Sequence, residues 1–376
     1  MKILTVIETV DIETGGGASE RARQISLNLQ KLGHEIKVLT TSVHYSDLTR
    51  KTLKPLKVIT LRPLLRRFWV PHPRFWIVRN LVKECDVVNI VNHWSIIVLM
   101  TYLFCKLYKK PYFVSPLGSL VIFGRSLPLK KLYNFFIGKR ILRDSTGCIL
   151  ATLDEKNHID DLKIEVKNIF HIPNGVNEED YPETENSVLL ENLGIKNKYV
   201  LFIGRLNEIK GPDILFKAFQ KLASKISDID LVFIGPDEGL SDSIKDLAEK
   251  SGLSSRLHIL GYVSVEDKAT IIRKSLFLAI PSRREAMSIV ALESGILGKP
   301  VLLTDRCGFD EVQEVGGGIV VEANINSIHS GLLSLLDKKA DLDSMGSNLK
   351  KFVRDNYLWS TAATRHAEIF NNYLES

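Results

Sequence analysis

The sequence predicts an α/β protein made of two Rossmann-like units in tandem, with parallel sheets facing a central cleft. Short apolar, β-branched runs alternate with amphipathic helical runs along the whole chain, as in parallel sheets joined by crossover helices. The alternation restarts after His171-Ile172-Pro173-Asn174-Gly175, whose Pro and Asn-Gly supply turn chemistry and mark an interdomain linker. The length of 376 residues exceeds one ordinary core and suits two domains of roughly 100–200 residues each.

In the first half, strands are expected at residues 2–8, 35–40, 57–61, 86–91, 111–115 and 147–151. Helical patterns follow at 18–32, 74–84, 95–109, 128–143 and 153–162. In the second half, strands recur at 199–204, 230–235, 257–260, 276–280, 300–304 and 318–321, with a helix at 211–225 among the connections. A last helix at 360–374 fits either unit by pattern alone.

Composition bounds the class. Apolar residues make up 45% and charged residues 25%, which is ordinary globular usage. Cys85, Cys105, Cys148 and Cys307 are scattered without a C-x-x-C pair. They read as small buried thiols of a reduced, cytoplasmic chain, neither a disulfide framework nor a zinc site. The N-terminal apolar run is short and broken by Thr5 and Glu8, so it reads as a first strand and not a signal peptide. The most apolar stretch, residues 96–108, is well short of the roughly 20 residues a membrane span needs.

Charge is unevenly distributed. Residues 1–165 carry 26 basic and 14 acidic side chains, and the remainder 24 and 30. Within residues 50–143 the figures are 19 and 2. A basic half attracts an anionic partner such as membrane lipid or a phosphorylated substrate.

In open parallel sheets, ligands bind at the carboxyl ends of the strands, so the residues just after each strand are the candidates. Gly15-Gly16-Gly17 follows the first strand and leads into a helix, allowing close backbone approach to phosphate or acceptor. Gly204-Arg205 ends a strand, and Lys210-Gly211 opens the next helix, so two cations and a helix dipole converge. That suits a diphosphate without any metal. Gly235, in G-P-D-E-G, is placed to frame a nucleotide base.

The most informative stretch is Pro281 to Glu293. Glu285 lies just past a strand and Glu293 eight residues on, within a helix. At about 1.5 Å rise per residue the carboxylates lie on the order of 10 Å apart, too far for a retaining hydrolase pair at roughly 5 Å. The spacing suits one carboxylate at each end of an extended ligand. His93 follows the strand D-V-V-N-I-V and is expected at the same cleft. Asp228-Ile229-Asp230 spells a metal–diphosphate signature but precedes its strand, at the wrong end.

Glu285-x7-Glu293 together with G-R-L-N-E-I-K-G at 204–211 resembles glycosyltransferase family 4, the retaining GT-B enzymes. The glycine loop, S-P-L-G-S-L at 115–120, H-I-P-N-G-V at 171–176 and G-K-P-V-L-L-T-D at 298–305 extend the match over nearly the whole chain. The resemblance implies that Arg205 and Lys210 bind the donor diphosphate, Glu285 the donor sugar and Glu293 the ribose, with His93 near the sugar. Backbone around Met287-Ser288-Ile289 would approach sugar and phosphates. Gly16, Gly17, Gly204 and Gly235 complete the expected donor set, and Glu285, His93, Arg205 and Lys210 the catalytic one.

The implied division is residues 1–170 plus the C-terminal helix 358–376 as acceptor-binding domain, and 171–357 as donor-binding domain. The departures are Ala286-Met287-Ser288 where many members carry a Gly-Phe-Gly-like stretch, and Ser115-Pro116-Leu117-Gly118 where many relatives carry an Arg.

The expected activity is transfer of a hexose-type sugar, with retention, from a nucleotide-diphosphate sugar to a hydroxyl of a glycan acceptor in cell-surface polysaccharide or glycan biosynthesis. No cofactor or metal is expected. The acceptor is expected to be lipid-linked, because residues 128–143 mix apolar side chains with Lys130, Lys131, Lys139, Arg140 and Arg143, a stretch able to rest on anionic headgroups. The chain would then work in the cytoplasm, peripherally on the inner face of the membrane. Two alternatives stand beside this: a nucleotide-sugar epimerase of the same fold, and a non-catalytic sugar-nucleotide-binding protein. Nucleic acid is not an expected partner, since the basic residues lack a reading motif.

Overall fold

The computed structural model describes residues 1–12, 14–43, 45–65, 70–72, 74–121, 127–181, 183, 188–337 and 341–375. The chain divides into two compact units, Met1–Gly175 with Trp359–Ser376, and Val176–Leu358.

Unit 1 contains β1 (Lys2–Val6), β2 (Glu35–Thr41), β3 (Lys57–Leu61), β4 (Pro63–Leu65), β5 (Val70–Pro71), β6 (Val87–Val91), β7 (Tyr112–Ser115), β8 (Gly147–Leu150) and β9 (Ile169–His171). Seven of them form a parallel sheet in the order β3-β2-β1-β6-β7-β8-β9. Both faces are covered, so β6 is buried at every position, as parallel sheets require. The core gathers Leu4, Val6, Val88, Ile90, Val114 and Cys148 with helix residues such as Ile97 and Ile141.

Unit 2 contains β10 (Lys198–Ile203), β11 (Ile229–Ile234), β12 (Leu257–Ile259), β13 (Phe277–Ile280), β14 (Val301–Thr304) and β15 (Gly318–Val321). They form a six-stranded parallel sheet in the order β12-β11-β10-β13-β14-β15. The helix Pro212–Leu222 buries Ile214, Leu215, Ala218, Phe219 and Leu222 along one face, the amphipathic stripe of a crossover helix.

Three local differences from the sequence reading stand out, and the C-terminal helix, which fits either unit by pattern alone, lies with unit 1. The first strand ends at Val6, short of Glu8. The stretch His171–Gly175 is not a free linker: His171 ends β9, and buried Arg21 donates to the carbonyls of Ile172 and Pro173 and to Asn174 Oδ1. The expected helix 128–143 is interrupted by a π-helical turn at Asn134–Gly138, where a Cβ on Gly138 would stand 2.6 Å from Asn134 Oδ1 and 3.5 Å from His93 Cδ2. The C-terminal helix Trp359–Leu374 packs on the helix Gly16–Lys31. Phe370 and Tyr373 lie 5.0 and 5.6 Å, centroid to centroid, from Phe113, and such aromatic pairs contribute about 0.5–1.5 kcal/mol each beyond area burial.

Candidate functional site

In both units the chain winds outward from a central strand on one side, then returns to build the other side. The reversal falls between β10 and β13 in unit 2 and between β1 and β6 in unit 1. Helices leave in opposite directions there, opening a crevice at the strand ends.

The unit 2 crevice holds the expected donor residues. Gly204 and Gly235 end neighbouring strands with their backbones in contact: Gly235 has φ +138°, and a Cβ on it would fall 2.1 Å from Gly204 O. Gly211 has φ +72°, and its Cβ would meet Pro281 O at 2.2 Å. Only glycine lets the helix start there, with Pro212 in its first turn.

Lys210, just before it, puts Nζ 2.8 Å from Glu285 Oε1. Ser282 Oγ donates to the same oxygen at 2.6 Å. The Glu285 N–H donates to Arg306 O at 2.8 Å, and the Arg283 N–H to Ile209 O at 2.8 Å, tying the loops after β10, β13 and β14 together. The Arg283 guanidinium grips both oxygens of Asp213 at 2.8 and 2.7 Å. Burial pushes the Asp213 pKa up, but the hydrogen bonds and charge of Arg283 outweigh it and leave the group below its ordinary value.

Arg205 does not share this point in the unliganded chain. Its Nη1 lies 3.1 Å from Glu238 Oε1, at a half-exposed position. Further along, the helix Ile289–Ile296 begins after Met287 and Ser288, both buried. The Ser288 side chain makes no capping bond to the first amides of that helix. Glu293, on the same helix, is buried; its Oε1 accepts from Lys268 Nζ at 2.8 Å, and its Oε2 has no partner among the described residues. Lys268 lies 5.9 Å from the centroid of the Tyr181 ring.

The unit 1 crevice holds His93 and the glycine loop. His93 is fully buried, and burial holds its pKa down at about 3. Its Nδ1 is 3.1 Å from Ser119 Oγ, which spends its own proton on Pro116 O at 2.5 Å. Nδ1 therefore carries the imidazole proton, and Nε2 is left as an acceptor without a partner among the described residues.

Asn92 adopts φ +68°, a conformation Asn tolerates. Its Oδ1 accepts from the His93 N–H at 2.7 Å and its Nδ2 donates to Glu8 Oε1 at 2.5 Å. Burial pushes Glu8 up to about 7, against the lowering pull of its backbone and Asn92 bonds. Gly16 has φ +66° and opens the helix Gly16–Lys31, with Gly17 in its first turn. The loop before it is tied down, since Asp11 accepts from Thr14 and Thr49 and Ser19 donates to Thr9 O.

Asp230, in the discarded Asp228-Ile229-Asp230, starts β11's second position and is bound by Asn197 and His258 at 3.0 Å each. No group of three or more His, Cys, Asp or Glu able to hold a metal occurs among the described residues. Two residues escaped the sequence reading. Lys268 is one lysine on an ordinary charged helix and carried no signal. Glu8 falls inside the strand the sequence predicts at residues 2–8, whereas β1 ends at Val6 and leaves it just past the strand end.

Comparison with known proteins follows the same division. Residues 15–180 match Glycosyltransferase Family 4 and residues 190–352 match Glycosyl transferases group 1. An uncharacterized glycosyltransferase of Methanocaldococcus jannaschii is 25% identical over 404 residues, covering 100% of this chain and 99% of the relative. A D-inositol 3-phosphate glycosyltransferase of Corynebacterium glutamicum is 28% identical over 200 residues, 51% of this chain and 47% of that one. Among solved structures, HepE of Anabaena, crystallised with UDP and glucose, superposes with a TM-score of 0.81 at 16% identity, covering 99% of this chain and 100% of that one.

Proposed function

Since the chain belongs to glycosyltransferase family 4, we propose that it moves a hexose-type sugar from a nucleotide-diphosphate sugar to a hydroxyl of a glycan acceptor, with retention at the anomeric carbon. The observation that carries this reading is the Lys210–Glu285 pair at the reversal point of the unit 2 sheet. It sets a cation for phosphate beside a carboxylate for sugar hydroxyls. Glu293, one oxygen held by Lys268 and the other without a partner among the described residues, is suited to the ribose. The relative solved with UDP and glucose supports a donor of that class.

In this reading the bond from the anomeric carbon to the diphosphate oxygen breaks, and Lys210, Arg205 and the helix N-terminus after Gly211 stabilise the developing charge. The acceptor oxygen bonds to the anomeric carbon on the face the diphosphate leaves, and its proton passes to a diphosphate oxygen. These cations do the work a metal does elsewhere, so turnover is expected to survive a chelator. Unit 1 would bind the acceptor.

A lipid-linked acceptor is supported by the surface of residues 128–143. Phe135 is 70% exposed, beside exposed Leu129, Leu132 and Phe136, among Lys131, Lys139, Arg140 and Arg143; the side chain of Lys130 lies outside the described residues. No helix among the described residues is long and apolar enough to cross a membrane, so contact would be peripheral.

Thermal-shift screening against UDP-, GDP- and ADP-sugars identifies the donor. Arg205→Ala is then expected to cut transfer by orders of magnitude, and near-normal turnover would sink the assignment. Incubating the donor alone separates transfer from epimerisation, which would yield an isomerised sugar nucleotide.

A further inference from the structure

The chain keeps Arg205 on an anion of its own. Arg205 Nη1 lies 3.1 Å from Glu238 Oε1, and Asn207 Nδ2 donates to Glu238 Oε2 at 2.6 Å. Each carboxylate oxygen is therefore taken by one of two residues just past the end of β10. Glu238 stands just past the end of β11, the neighbouring strand.

The pairing stands on backbone that is held from several sides. The Leu206 N–H donates to Pro236 O at 2.9 Å and the Glu238 N–H to Leu206 O at 3.2 Å, so the two loops prolong the β10–β11 pair. Asp237 Oδ1 accepts from the N–H groups of Gly239, Leu240 and Ser241 at 2.9, 3.1 and 3.0 Å, which fixes the turn that carries Glu238. On the other side, Asn207 Oδ1 accepts from the Lys210 N–H at 3.0 Å. Asn207 thus joins the loop of Lys210 to the carboxylate of Glu238. With both backbones fixed, the Arg205 side chain, 42% exposed, is the part able to change partner.

A carboxylate and a phosphate present the same kind of oxygens to a guanidinium. A diphosphate must therefore draw Arg205 away from Glu238, and Glu238 takes it back when the diphosphate leaves. We propose that Glu238 is an internal counter-anion for Arg205 that sets how tightly the unit 2 crevice holds a nucleoside diphosphate. The proposal rests on the donor reading above, in which Arg205 meets the diphosphate, and adds a residue that loosens that grip. An exposed ion pair of ordinary strength is formed roughly 60–85% of the time. The apparent Kd rises by the reciprocal of the remaining fraction, about two- to sixfold.

The test is calorimetry on the full chain with UDP, GDP and ADP as probes. The tightest of the three is then titrated into Glu238→Gln, Arg205→Ala and the double variant. Glu238→Gln keeps the size of the side chain and one acceptor for Asn207 while removing the charge. It should tighten the nucleoside diphosphate about two- to sixfold. Arg205→Ala should weaken it, and in that background Glu238→Gln should bring no comparable gain. Without nucleotide, Glu238→Gln should melt within about 2 °C of wild type, because the pair is exposed.

Unchanged or weaker binding in Glu238→Gln overturns the proposal, since a carboxylate that only shapes the loop, or that touches the ligand itself, brings no gain when it is neutralised. An equal gain with and without Arg205 also overturns it, because that marks plain charge repulsion of the diphosphate and no competition for Arg205. If wild type binds none of the three nucleotides, or Arg205→Ala leaves binding intact, the donor reading fails and this inference with it. If Arg205→Ala weakens binding and Glu238→Gln does not tighten it, the donor reading stands and the role of Glu238 alone falls.

Discussion

Lys210 Nζ and Glu285 Oε1 stand 2.8 Å apart, one after β10 and the other after β13, across the reversal point of the unit 2 sheet. The Glu285 side chain is 8% exposed and that of Lys210 24%, so each is the other's principal counter-charge in the unliganded chain. Removing only Lys210 leaves a nearly buried carboxylate with Ser282 as its remaining side-chain partner. Lys210→Met is expected to destabilise the protein by about 1–3 kcal/mol. The double variant with Glu285→Gln should recover much of that stability while remaining inactive. Thermal melts beside transfer assays separate the two effects.

Glu293 and Lys268 form the second paired group, and its effect should be specific to the ribose. Lys268 holds Oε1 and leaves Oε2 without a partner among the described residues, the oxygen that takes the ribose in the proposed reading. With whichever nucleoside diphosphate wild type binds, calorimetry should show a preference for the ribo over the 2′-deoxy form. Glu293→Gln and Lys268→Met should each narrow that preference, by roughly 1 kcal/mol for a charge-assisted hydrogen bond. Equal losses for both nucleotides in Lys268→Met would remove Lys268 from this role.

Two glycines with the same backbone conformation should respond differently to alanine. Gly211 at φ +72° has Pro281 O within 2.2 Å of a new Cβ, whereas Gly16 at φ +66° has nothing within 4 Å. Gly16→Ala should cost about 1 kcal/mol from the backbone alone. Gly211→Ala should cost several times more, on the order of 3 kcal/mol, and should also weaken nucleotide binding by displacing Lys210. Chemical denaturation measures the first effect and calorimetry the second.

Two buried histidines should cost unit 1 stability in acid, against an opposite contribution from Glu8, whose pKa raised to about 7 favours the folded state as pH falls toward 4.5. Burial holds His93 and His366 at about 3 in the folded state, with the charge of Arg21 adding to burial at His366. The unfolded chain takes up protons at both near the ordinary imidazole value of 6.5. At these two histidines the unfolded state therefore binds more protons between those values, and their contribution to stability falls as pH drops from about 6.5 toward 3. His366→Gln should flatten the melting-temperature profile between pH 7 and pH 5. An unchanged slope would show that His366 is not a source of the loss.

The sequence by itself determined the two-unit α/β organisation, because parallel sheets buried on both faces write near-continuous apolar runs such as Val87–Val91. It also placed Arg205, Glu285 and His93 at or just beyond strand ends, Lys210 at the start of a helix and Glu293 within one, since spacing along one chain fixes position along a strand or helix. Partnership was decided by tertiary structure alone. Lys210 meets Glu285 across 75 residues, Arg205 turns to Glu238, and Lys268 reaches Glu293 from another helix. Glu8 joins Asn92 across 84 residues because β1 and β6 are neighbours in space. Side-chain pairing depends on which strands lie side by side and on where each strand ends, and local apolar periodicity reports the first not at all and the second only to within a residue or two.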